Sequence, residues 1–150
     1  MLNYIISYTS TIMKVLPRIM RNINEFNIPA GNSCYEILYF GVNLILMFDY
    51  RLSFDVEVQN SNDDIQVLII SRKDVPPWKT TNESNNVNIY YKKLATRIND
   101  VFKPSISDAY AFVLNNMSSK PQKVEVAIVH TWLQEVKESQ LQYRNDNNLS

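Results

Sequence analysis

His130 and Cys34 are the only histidine and the only cysteine in the chain, so nucleophile–base chemistry and soft-metal chemistry must begin from these two residues. A serine or cysteine nucleophile needs a base within hydrogen-bond reach, and that base needs a third group to orient it. His130 lies in Val129-His130-Thr131-Trp132, a run of packing type with no such partners beside it, and reads as a satisfied or solvent-exposed surface histidine. One Cys and one His cannot build a zinc site without carboxylates, and neither is spaced with a second ligand. Cys34 opens a strand-like run and reads as a small buried hydrophobe. Acidic pairs occur at Asp63-Asp64, in a turn, and at Asp55 and Glu57, on the polar side of an alternating run; both positions ordinarily mean solvated charge. Gly31 and Gly41 are the only glycines, so no glycine-rich phosphate cradle can be made. These residues predict a protein with no catalytic, cofactor or metal site, one that works by its surface.

The bulk composition narrows the partners. Fifteen Lys and Arg against fifteen Asp and Glu give a formal net charge of zero, which lacks the basic excess that would displace counterions from a nucleic acid. With 150 residues the chain fits one domain, residues 1–150, large enough to bury an independent core. A lone cysteine excludes an intramolecular disulfide scaffold and favours a reducing compartment. No apolar run approaches the roughly 18 residues of a spanning helix, so no membrane partner is expected. The first 24 residues contain Lys14, Arg18 and Arg21 and no acid before Glu25, a composition shared with mitochondrial presequences. Against that, Ile12, Val15, Ile19, Ile23 and Phe26 fall at helical spacing and predict a packed N-terminal helix over residues 1–27, with Pro17 starting or kinking it. The sequons at Asn82, Asn116 and Asn148 then carry no glycosylation meaning.

The elements that must position these residues follow from periodicity. Residues 28–32 form a turn, and residues 35–40 and 42–49 are aromatic and branched runs suited to strands. Leu52, Phe54, Val56 and Val58 alternate strictly with Ser53, Asp55 and Glu57, giving a strand with one buried and one wet face. Residues 65–70 lack that alternation and read as a central strand. Short polar turns separate the four runs, as an antiparallel meander requires. Val87, Tyr91, Leu94, Ile98 and Val101 recur at helical intervals and predict a surface helix over residues 86–102, ended by Lys103-Pro104. Residues 108–116 fit either period; the alternation of Tyr110, Phe112 and Leu114 favours a strand. Pro121 opens a last helix with Val129, Trp132, Leu133 and Val136 on one side, and residues 144–150 are a frayed polar tail. The expected fold is α+β: a mainly antiparallel sheet, four meander strands plus one later strand, packed by an N-terminal, a middle and a C-terminal helix.

One aromatic falls outside these faces. In Val75-Pro76-Pro77-Trp78-Lys79, Trp78 sits in a proline-stiffened loop, and aromatic rings of this kind are enriched where proteins bind one another. Val75, Pro76, Pro77 and Trp78 are therefore the candidate partner-binding residues, joined by Glu57 on the wet face of its strand. The alternative is a loop anchored on its own sheet by Trp78.

The succession Ile65-Gln66-Val67-Leu68-Ile69-Ile70-Ser71-Arg72, a polar connection, Tyr91-Lys92-Lys93-Leu94-Ala95-Thr96-Arg97 on a helix, Ala111-Phe112-Val113-Leu114-Asn115 on a strand and a closing helix over residues 126–138 resembles the proteasome assembly chaperone 4 family. Residues 35–40 and 42–49 resemble that family's early hairpin. The resemblance covers residues 35–138 and suits a divergent, fungal-type member; residues 1–26 and 102–108 depart from it as additions. It implies a non-enzymatic chaperone of cytoplasm and nucleus that forms a heterodimer with a sister chaperone and binds proteasome α-type subunits during ring assembly. The same element order is also similar to RWD domains, inactive relatives of ubiquitin-conjugating enzymes, which implies an interaction scaffold. An active conjugating enzyme is disfavoured, because Cys34 precedes the strands and no His-Pro-Asn motif follows them. The two readings part at residues 108–116, strand for the chaperone and helix for the RWD domain.

Overall fold

The computed structural model describes residues 13–31, 33–75 and 87–137. Its elements are β1 (Met13–Ile28), β2 (Ser33–Val42), β3 (Phe48–Val58), β4 (Ile65–Ser71), a single 3-10 turn at Arg72–Asp74, β5 (Ile89–Ala95), β6 (Arg97–Phe102), β7 (Asp108–Asn116) and β8 (Gln122–Lys137). Two four-stranded antiparallel sheets result, ordered β1-β8-β3-β6 and β2-β7-β4-β5. The first four strands pair with the last four in reverse, 1 with 8, 2 with 7, 3 with 6 and 4 with 5, like one long hairpin rolled into two layers. That connectivity is a jelly roll.

The expected α+β fold is thus replaced by an all-β one among the described residues, and each misplaced helix has a physical reason. The middle helix of residues 86–102 is the two strands β5 and β6, divided at Thr96. A register irregularity opposite Ile69 and Ile70 sets Tyr90 and Tyr91 both half-buried, and the reversal at Thr96 resets the phase, so the apolar positions imitate a helical stripe. The C-terminal helix is β8, where Val124, Val126, Ile128 and His130 are buried in strict alternation. Its supposed stripe mixed Val129 and Leu133, which face outward, with Trp132, which faces in. Of the N-terminal helix, residues 1–12 lie outside the described residues and the rest is β1, an edge strand of its sheet as described, where Pro17 is tolerated because an edge has backbone groups without ladder partners. The meander is also corrected. Residues 42–49 are not one strand: Val42 ends β2, residues 43–47 form a turn, and Phe48 and Asp49 begin β3, while β2, β3 and β4 alternate between the two sheets.

Other expectations hold. In β3, Leu52, Phe54, Val56 and Val58 are buried and Ser53, Asp55 and Glu57 are not. β4 is internal to its sheet and buried on both faces, and residues 108–116 are a strand. The core lies between the sheets, where Phe54 of the first sheet meets Phe112 and Tyr91 of the second edge-on, with ring centroids 5.1 and 5.2 Å apart. A smaller apolar cluster covers the far side of the second sheet, formed by Leu68, Ile70, Ala111 and Val113 with Val75, Val87 and Ile89.

The loops at one end are tied together by Asn116, which is fully buried. Its side-chain amide nitrogen lies 2.8 to 3.1 Å from the carbonyl oxygens of Ile28, Pro29 and Lys120, and its oxygen accepts from the Ser118 amide at 3.0 Å. The Gly31 amide donates to the Ser118 carbonyl at 2.9 Å, from a backbone with φ of 79° that glycine adopts without penalty. Burial also removes the Asn116 sequon from any modifying enzyme; those at Asn82 and Asn148 lie outside the described residues, as does the tail of residues 144–150.

Candidate interaction surface

The two residues with which chemistry had to begin do not meet. His130 is buried in the sandwich, where its Nδ1 pairs with the Tyr50 hydroxyl and its ring stands edge-on to Phe40 at 5.5 Å. Burial pushes the imidazole pKa down and the Tyr50 hydroxyl pKa up, so both are held neutral. Tyr110 stacks on the same Phe40 at 5.4 Å, and burial pushes its hydroxyl up to about 12. This is an aromatic core layer with one satisfied polar pair, so of the two readings of His130 the satisfied histidine holds and the solvent-exposed one does not. Cys34 is half-buried at the start of β2, in the other sheet. Among the described residues no three His, Cys, Asp or Glu side chains are grouped to hold a metal ion. The gap between the sheets beside Phe26, Leu38 and Val126 measures about 10 Å³, room for one water at most.

The surface carries more information. At one end of the sandwich the turn between β2 and β3 is built on Asn43: its carbonyl accepts from the Leu46 and Met47 amides at 3.1 and 2.8 Å, and its side-chain oxygen from the Ile45 amide at 3.0 Å. The Leu44 amide donates to Ser107 Oγ at 2.8 Å, fastening the turn to the β6–β7 connection. Asp49 follows with φ of 49°, a left-handed conformation that Asp tolerates, and it pairs with Arg51 at 3.3 Å. The result is a turn held firmly in an outward pose. Ile45 at its tip is 79% exposed and Leu46 62%. Ile45 stands between two hollows, an open one of about 460 Å³ along Gly41, Val42, Ser107 and Ala109, and a more enclosed one of about 140 Å³ along Leu46, Phe48 and Gln134. Leu133, opposite Phe48, extends the apolar area onto β8.

A second apolar area lies on β1. Ile23 is 72% exposed and Ile19 57%, both on the outer face of the first sheet and both on its edge strand. Four residues stand in line on that face: Glu25 of β1, Glu125 of β8, Glu57 of β3 and Arg97 of β6. Lys123 pairs with Glu25 at 3.1 Å, and Arg97 pairs with Asp55 at 3.0 Å.

Of the predicted contact residues, Val75 and Glu57 are described, and they lie on opposite sides of the sandwich. Val75 is buried in the apolar cluster on the second sheet, so it packs on its own sheet and presents nothing to a partner. Glu57 lies on the outer face of the first sheet, on the opposite side of the sandwich. Pro76, Pro77 and Trp78 lie outside the described residues. The apolar turn at Ile45 and Leu46 was hidden inside what read as a strand; the signal available was Asn43 directly after Gly41, followed by an apolar run without alternation.

No family model and no curated protein matches the sequence. Solved structures similar to it include a protein of Bacillus endospore appendages, which form disulfide-linked pili, at 8% identity and a TM-score of 0.47, covering 78% of this chain and 89% of that one. The PirA structure is similar at 4% identity and a TM-score of 0.46, covering 71% and 92%. The capsid protein of BFDV, solved as a decamer, is similar at 12% identity and a TM-score of 0.49, covering 82% of this chain and all of that one. At these levels none of them bears on what this chain does.

Proposed function

We propose that this chain is a non-enzymatic subunit that acts by protein–protein association, docking through the apolar end formed by Ile45, Leu46, Phe48 and Leu133. The carrying observation is the rigid outward pose of Ile45 and Leu46. A monomer gains nothing from holding two large aliphatic residues in water on a hydrogen-bonded turn, whereas an interface uses such a pre-ordered backbone to reduce the entropy lost on binding. The chaperone and RWD readings are not carried forward, because both rested on helices at residues that are strands. What persists from them is the class of function, a surface that binds protein. Sedimentation velocity tests the reading. The wild-type chain is expected to form species that grow with concentration, and an Ile45→Asp, Leu46→Asp double variant with unchanged melting is expected to lose the largest of them. Identical distributions for the two proteins would overturn it.

A further inference from the structure

The Gln59 amide donates to the Lys123 carbonyl at 2.7 Å, and this one bond sets the direction of every backbone group on the edge of the first sheet. Lys123 turns its backbone groups toward β3, so the alternating residues Gln122, Val124, Val126 and Ile128 turn theirs toward β1. Their partners in an unbroken register are Ile28, Phe26, Asn24 and Asn22. The odd-numbered residues Ile19, Arg21, Ile23, Glu25 and Asn27 must then point N–H and C=O away from β8, to an edge that is free among the described residues, and their side chains lie on the outer face. Pro17 fits the same parity, since the N–H it lacks would have pointed to that edge. From Ile19 to Asn27 the edge is an intact row of donors and acceptors beside exposed aliphatic side chains, the arrangement that templates another strand.

We propose that a second copy of this chain pairs antiparallel along the free edge of β1, about a two-fold axis at Ile23, joining two four-stranded sheets into one of eight. Charge selects both the occupant and the register. With the axis at Ile23, Arg21 of each copy stands opposite Glu25 of the other and the two Ile23 side chains meet. Axes at Arg21 or Glu25 oppose like charges, and axes at Asn22 or Asn24 leave Arg21 opposite Ile23 or Asn27. The line Glu25, Glu125, Glu57 meets Arg97 at its β6 end, and at its β1 end Glu25 is met by Lys123 of β8, with no cross-strand partner on its outer side among the described residues. Arg21 of the second copy supplies that cross-strand partner.

This deepens the reading of the chain as an assembly subunit but uses a different surface, so the two can fail separately. Sedimentation equilibrium at low salt would compare wild type with Arg21→Glu, Glu25→Arg and the double exchange. Each single variant places two like-charge pairs across the axis and is expected to weaken dimerisation by about tenfold. The double exchange restores both pairs in reverse and is expected to return the dissociation constant to near the wild-type value. Ile23→Pro removes a donor from the free edge and none from the β8 ladder, and is expected to abolish the dimer with little change in melting. Dimers persisting in the Ile45→Asp, Leu46→Asp variant would support the pairing. A wild-type monomer throughout, or one dissociation constant shared by wild type and all three charge variants, would overturn it.

Discussion

Glu57 on β3 and Glu125 on β8 stand directly opposite one another across the first sheet, like charge against like charge, with Glu25 of β1 continuing the line. Cross-strand pairs of this kind cost stability, and Lys123 and Arg97 reach only the two ends of the row. Glu125 in the middle is the position where a charge change acts on both neighbours.

Replacing Glu125 with Lys is therefore expected to stabilise the chain by about 1 kcal/mol, the sum of two modest cross-strand pairs at an exposed site. Urea melts at low and high salt check it; the gain should shrink as salt screens it. A neutral or destabilising result at low salt would show that the row is already balanced.

Phe54 tests the centre of the sandwich. It is buried between Tyr91 and Phe112 of the facing sheet, so Phe54→Ala is expected to cost about 3 to 5 kcal/mol. Glu57→Arg, on the outer face of the same strand, exchanges repulsion from Glu125 for repulsion from Arg97 and should stay within about 0.5 kcal/mol. Denaturant melts of the two variants side by side decide whether inside and outside are assigned correctly.

Asn116→Ala should be costly for a residue that fills so little volume. It strips the donor from the carbonyls of Ile28, Pro29 and Lys120 and unties the β1–β2 and β7–β8 loops at once. A loss of about 1 to 3 kcal/mol is expected, with amide exchange rising first at Gly31, whose N–H bonds to the same loop. Uniform exchange across the sheets would argue against a local role.

How far the sequence could be read depended on whether each strand faced one buried layer. β3 was legible because its pattern is clean: four apolar residues inward, three polar residues outward. β8 carries the same signal over Val124, Val126, Ile128 and His130, but its outward side includes Ala127, Val129 and Leu133, so a helical stripe could be drawn through it. Among the side chains of β1 that are described, residues 16–28, only Ile28 is fully buried, which leaves periodicity little to act on. The pairing of strands far apart in sequence, such as β1 with β8, leaves no local trace, and the jelly roll is made of such pairings. For the interaction surface, the wet face of β3 was legible and the Ile45 turn was not, since an exposed aliphatic run in a loop looks in sequence like a buried strand.

The last prediction concerns pH and rests on His130. Its imidazole is buried against Phe40 and Tyr50, and burial lowers its pKa below the ordinary histidine value of about 6.5. The folded state then binds fewer protons at this residue than the unfolded state between the lowered pKa and about 6.5, so stability rises with pH across that window. The contribution is fully present above about 6.5 and is lost as pH falls toward the folded value. Chemical denaturation from pH 8 to pH 5 should show the midpoint falling through this range. A His130→Gln variant can still pair with the Tyr50 hydroxyl but cannot titrate, so its midpoint should be flatter over the same interval. If both proteins lose stability in parallel, carboxylate protonation elsewhere dominates and the buried His130–Tyr50 pair is not the source of the acid sensitivity.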